Sequence, residues 1–133
     1  MHEQIHFRGT IIEAWMDAES QKTFTDVDLN LLNDENFPVY NKPNSCYNGM
    51  LSPLLNYNVK GFLWYQGEGN VPRYSTYADK MVAMIKLWRA KWGDENLPFY
   101  YAEIAPYNYA ANRLDLTEEQ TKAALLREQQ KNV

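Results

Sequence analysis

The sequence has a single cysteine, Cys46, so it forms no internal disulfide, and no Cys/His cluster has the spacing of a zinc site. Its only histidines, His2 and His6, stand at the extreme N-terminus, where a side chain is seldom held still enough to serve as a base. There is no Lys/Arg cluster to follow a phosphate backbone. With a net charge of −4, nucleic acid is not an expected partner. No apolar run approaches the ~18 residues of a membrane-spanning helix. The opening MHEQIHFRG lacks the apolar centre of a signal peptide, so nothing in the sequence directs export. No cofactor or metal is implied.

What is abundant is aromatic. Ten Tyr and four Trp raise the aromatic share to 14% of 133 residues. Two readings follow: a core of large side chains, or a sugar-facing cleft built on flat rings with polar edges. The 45% apolar content is enough for a packed core, and the length fits one domain or part of one.

The sharpest local pattern is GFLWYQGEGN at 61–70, an apolar run that stops at two glycines carrying an amide, a carboxylate and a second amide. Residues 58–65 are predicted as a strand, and their unbroken apolar character predicts cover on both faces. A helix follows, N-capped at Ser75 and ended by Gly93, with Tyr77, Met81, Met84, Ile85, Trp88 and Trp92 on one stripe and Lys80, Lys86 and Lys91 mostly elsewhere. PFYYAEIAP, at 98–106, predicts a second buried strand. Strand, helix and strand make a βαβ unit with parallel strands. Residues 10–24 have moderate helical spacing, 26–35 suit a short polar helix, and 107–116 suit a loop. TEEQ from Thr117 matches a capping box opening a last helix that runs to about Gln130. Two strands are few for a layered α/β domain, which suggests that the chain is part of a larger fold.

Ligands of parallel α/β sheets bind beyond the C-terminal strand ends. The first strand delivers Gln66, Glu68 and Asn70 there, and the second delivers Glu103, Tyr107 and Asn108. The polar groups could equally cap helices or bond loop backbone. Glu68 and Glu103 also permit a glycosidase pair, although such sites usually sit on a far longer barrel. None of Ser20, Ser45, Ser52 and Ser75 lies in a nucleophile elbow, and none has a credible histidine partner. Cys46 reads as a small packing residue.

Several stretches together resemble the sialate O-acetylesterase group of carbohydrate esterases, within the SGNH (GDSL-like) hydrolase superfamily. They are GTIIEAWM, YNGMLSPLL, KGFLWYQGEGN, LWRAKWGDENLPFYYAEIAPY and LLREQQ. The resemblance runs from about Gly9 to Gln129. It implies a flavodoxin-like three-layer α/β fold and hydrolysis of acetyl esters on sugars by a Ser-His-Asp mechanism. The family's G-Q-S-N-type serine motif would lie before Met1 and its D-x-x-H after Val133. Residues 1–133 would then be the middle of a single incomplete domain, inactive alone. Parent enzymes of this kind are typically secreted.

Carried over by residue, the resemblance makes the Gly9 backbone an oxyanion-hole donor, although Phe7 and Arg8 replace the family's preceding Trp-Gly. Gln66 is the preferred side-chain donor and Asn70 the second. Such donors can contribute ~3–4 kcal/mol each in an intact enzyme. Glu13, Asn48, Glu68, Glu103 and Tyr107 become substrate-binding or supporting residues, with Glu103 standing where the family more often has glutamine. A sugar-binding or assembly module without catalysis is the alternative, completing its sheet by self-association or with another chain.

Overall fold

The computed structural model describes residues 9–106 and 116–133, with side chains of the last helix described from residue 121. Within them the chain forms a small α/β unit. Helix α1 is Ala18–Gln21, strand β1 Phe62–Trp64, helix α2 Tyr77–Trp92, strand β2 Phe99–Tyr101 and helix α3 Leu116–Lys131. Strands β1 and β2 pair in parallel, Phe62 with Phe99 through Trp64 with Tyr101, and α2 connects them. The predicted βαβ unit is therefore present.

Both strands are shorter than the sequence suggests. Pro98 has no N–H, so pairing opens with Phe62 N–H donating to the Pro98 carbonyl at 2.8 Å. It closes with Ala102 N–H on the Trp64 carbonyl at 3.1 Å. The expectation of strands covered on both faces is overturned. Leu63 is 88% exposed, Tyr100 66% and Tyr65 54%, while the opposite face carries Trp64 into the core. An apolar run of five residues looks the same whether one face or two is covered, so periodicity could not separate the cases.

Helix α2 holds the core together. Tyr77, Met81, Met84, Ile85 and Trp88 are buried as the stripe predicts, and Trp92 is half-buried. The helix starts after Thr76, whose side chain makes no capping bond, rather than on a Ser75 cap. Gly93 ends it in the left-handed conformation, φ 70°, as glycine does at helix C-termini. Lys80 does not lie elsewhere: it is fully buried on the same stripe.

The tryptophans are core residues. Trp15 meets Trp64 edge-on at 5.5 Å and Trp64 meets Trp88 at 5.4 Å, with Phe62 between Trp88 and Trp92 at 5.1 Å from each. Such edge-to-face pairs add to the large area each ring buries.

Residues 10–24 do not form one helix. A single 3-10 turn, Ile12–Trp15, is separated from α1 by extended backbone at Met16. Two side chains cause the break. Asp17 accepts the Ser20 N–H at 2.9 Å and starts a new helix. The Gln21 amide lies 2.8 Å from the Glu13 carbonyl and 2.9 Å from that of Met16, taking the acceptors that a longer helix would use. The polar helix predicted at 26–35 reduces to a 3-10 turn at Leu29–Asn33. Of the loop predicted at 107–116, Leu116 already belongs to α3, and the rest lies outside the described residues, as do the side chains of the capping box, Thr117 and Gln120. Helix α3 packs across the Glu68–Thr76 turn and touches α2, burying Ala123, Leu126 and Gln130.

Candidate active site

The polar groups at the end of β1 turn inward and join a buried hydrogen-bond network with the segment that begins at Gly9. Gln66 is its centre. Its amide nitrogen donates to the Thr10 carbonyl, 56 residues away in sequence, and to Asn70 Oδ1, both at 2.8 Å. Its carbonyl oxygen Oε1 accepts from the Tyr77 hydroxyl at 3.0 Å. That hydroxyl also lies 2.9 Å from the Gln66 backbone carbonyl, and burial pushes its pKa up, which keeps it a donor. Gln130 of α3 completes the frame. Its amide nitrogen donates to the same backbone carbonyl at 3.0 Å, and its oxygen accepts the Ile104 N–H at 2.9 Å beyond β2.

Asn70 is fully buried beside Gln66. Its Oδ1 also accepts the Ile12 N–H at 2.8 Å, and its Nδ2 donates to Glu13 Oε2 at 2.9 Å. These partners fix which end of the amide carries nitrogen. The other Glu13 oxygen accepts from Lys80 Nζ at 2.8 Å, and both side chains are buried. Lys80 reaches Asp26 as well, at 2.6 Å, and Arg73 lies 4.0 Å from Glu13 Oε1.

Glycines let these segments meet. Gly9 has φ 73° and open space where a Cβ would stand. A Cβ on Gly69 would lie 2.7 Å from the Thr10 carbonyl oxygen and 3.2 Å from that of Gly9. Gly9, Gln66 and Asn70 are thus brought together, with exposed Gly9 at the rim and the two amides behind it. Glu13 joins them. Asn48 is exposed, and its N–H donates to the Asn44 carbonyl at 2.8 Å. Glu68 is half-buried at the head of the turn, and Glu103 is exposed. Among the described hydrogen bonds neither carboxylate enters the network. Tyr107, Asn108, Phe7, Arg8 and both histidines lie outside the described residues. Cys46 is buried, as expected of a packing residue.

Lys80, Asp26, Tyr77 and Gln130 were not read from the sequence as parts of this network. One signal was available for Lys80. It stands three residues after Tyr77 and four before Met84, on the buried stripe.

Asp26 makes the network sensitive to pH. Burial pushes its carboxyl up, but hydrogen bonds from Lys80 and Thr76 outweigh this and hold it below its usual value of 3.8. A depressed folded pKa adds stability above the unfolded value and loses it as pH falls through the folded one. Asp26→Asn should therefore lower stability at neutral pH, and the gap from wild type should close as pH drops below 3.8. Urea titrations at a series of pH values measure this; a gap that stays constant with pH would contradict it.

Residues 9–133 match the family described as carbohydrate esterase, sialic acid-specific acetylesterase. The chain belongs to that family. Over 83 residues it is 35% identical to the sialate O-acetylesterases of Homo sapiens and of Pongo abelii, a match covering 61% of this chain and 16% of each relative. It also resembles the crystal structure of a carbohydrate acetylesterase from Xanthomonas citri, with a TM-score of 0.69 and 37% identity, over 92% of this chain and 25% of that one. The chain thus spans about a sixth of the length of the curated acetylesterases and a quarter of the solved one. The acetylesterase likeness gives the β1 end and the Gly9 segment a common context. It gives no support to the glycosidase pairing of Glu68 with Glu103.

Proposed function

We propose that this chain builds the acyl-oxygen-binding wall of a sugar O-acetylesterase acting on acetylated sialic acid or a related glycan. The wall belongs to a flavodoxin-like three-layer domain that works by Ser-His-Asp chemistry. The observation that carries this reading is the state of the Asn70 amide. One Nδ2 proton is held by Glu13, the other has no described partner, and the segment that begins at exposed Gly9 packs against the neighbouring Gly69. A tetrahedral intermediate needs preorganised donors of this kind where its negative charge develops.

Gln66 is better suited to support than to oxyanion binding, because both its amide protons are already donated. The side-chain donor is therefore Asn70, and Gln66 holds it. Asn70 is 0% exposed, so the acyl oxygen must enter along Gly9 and displace whatever covers the amide. In this reading Glu68 and Glu103 have no chemical role.

None of the four serines hydrogen-bonds to this network among the described bonds, so the 133 residues alone should not turn over p-nitrophenyl acetate. A rate above buffer that is lost in the Ser20, Ser45, Ser52 and Ser75 quadruple alanine variant would overturn that point. The binding claim is tested by titrating ¹⁵N-labelled chain with an O-acetylated sialic acid. The reading predicts shifts at the Gly9 N–H and the Asn70 side-chain amide. Shifts confined to other residues, or none at millimolar ligand, would contradict it.

The bare sheet face favours a second reading, an assembly module that covers Leu63 and Tyr100 with a second copy of itself, since parallel sheets are normally covered on both faces. Sedimentation should then show a dimer that Leu63→Lys dissociates. A monomer at all concentrations would argue against it.

A further inference from the structure

We propose that Glu13 is a positioning residue for the Asn70 amide and that Lys80 keeps it in that role. The inference rests on Asn70 being the acyl-oxygen donor. Glu13 serves two donors with separate oxygens, Oε1 for Lys80 at 2.8 Å and Oε2 for Asn70 Nδ2 at 2.9 Å. An ionised carboxylate accepts hydrogen bonds and donates none, so it holds only the NH₂ end of the amide. Flipping Asn70 would set Oδ1 against the carboxylate. It would also aim NH₂ protons at the Ile12 N–H and the Gln66 amide, which now both donate to Oδ1. A flipped Oδ1 would repel an oxyanion instead of binding it. Lys80 sets a cation 2.8 Å from this buried carboxylate and is itself shared with Asp26.

The chemistry makes one substitution diagnostic. In Glu13→Gln a single oxygen must serve both Lys80 and Asn70. The ammonium is the stronger donor and takes that oxygen, which turns the glutamine NH₂ towards the NH₂ of Asn70. Adding Lys80→Met removes the competitor and frees the glutamine oxygen for Asn70. It also removes both charges of the buried Glu13–Lys80 pair together and leaves only Asp26, whose side chain is 32% exposed, without its cation.

The experiment titrates ¹⁵N-labelled wild type, E13Q and E13Q/K80M with an O-acetylated sialic acid, following the Asn70 side-chain amide, with thermal unfolding of each as a check on the fold. The expected result is an Asn70 response in wild type and about tenfold weaker binding in E13Q, the effect of ~1.4 kcal/mol. E13Q/K80M should bind near the wild-type level. A general loss of stability would not restore binding in the double variant. A wild-type response matched by E13Q would overturn the positioning role and leave the acyl-binding reading standing. Equal weakness in E13Q and a folded E13Q/K80M would also overturn it. No response of Asn70 in wild type would defeat the acyl-binding reading, and the positioning role with it.

Discussion

Replacing Lys80 with methionine should destabilise the chain by about 3–5 kcal/mol, the usual consequence of leaving one member of a buried ion pair without its partner. Lys80 and Glu13 have side chains 1% and 3% exposed and lie 2.8 Å apart. Methionine fills the volume but leaves the Glu13 carboxylate uncompensated in the interior. Urea unfolding should show a lower midpoint with an unchanged slope. The Lys131–Glu128 pair on α3 offers the contrast, since its side chains are 53% and 64% exposed. Lys131→Met should leave the urea midpoint where it is in wild type. Comparable small effects at both positions would mean that Glu13 is not held by Lys80.

Gly67→Ala should cost about 2–6 kcal/mol, from two sources. Gly67 adopts φ 154° and ψ −26°, a conformation closed to other residues that adds roughly 1–3 kcal/mol of strain. A Cβ there would also stand 2.7 Å from Ile104 Cγ2 and 2.9 Å from Leu126 Cδ2, crowding that adds roughly 1–3 kcal/mol. The same Cβ would lie 3.2 Å from Gln130 Nε2, the donor that ties α3 to the Gln66 carbonyl. Loss of α3 amide protection should therefore accompany the loss of stability. Gly49→Ala is the control. Nothing lies within 4 Å of its Cβ position, so it should leave stability within about 0.5 kcal/mol of wild type. A Gly67→Ala chain as stable as Gly49→Ala would contradict the packing described at the end of β1.

Much of this architecture was legible in the residues. The stripe on α2, the stop at Gly93 and the parallel pairing of two apolar runs all follow from spacing and local backbone chemistry. The change from apolar strand to Gln66, Gly67, Glu68, Gly69 and Asn70 marked where the polar groups gather. Other features depend on contacts that spacing does not carry. Lys80 looked like a surface residue because lysine rarely lies inside without a partner, and its partners Glu13 and Asp26 stand 67 and 54 residues away. Gln66 looked like a free donor because its partner Thr10 is equally remote. The moderate helical spacing at 10–24 does not become one helix because Asp17 and Gln21 bond the backbone there. The bare face at Leu63 and Tyr100 was hidden because a short apolar run carries no record of which side is covered.

Two side-chain amides are locked between the end of β1 and the segment from Gly9 to Glu13. The most direct measurement is the exchange of the Gln66 and Asn70 side-chain amide protons in a ¹⁵N-labelled sample, with nuclear Overhauser contacts to the Ile12 N–H. The network predicts dispersed signals, slow exchange with water and a contact between the Asn70 amide and Ile12. Averaged signals that exchange as fast as those of exposed Asn48 would contradict it.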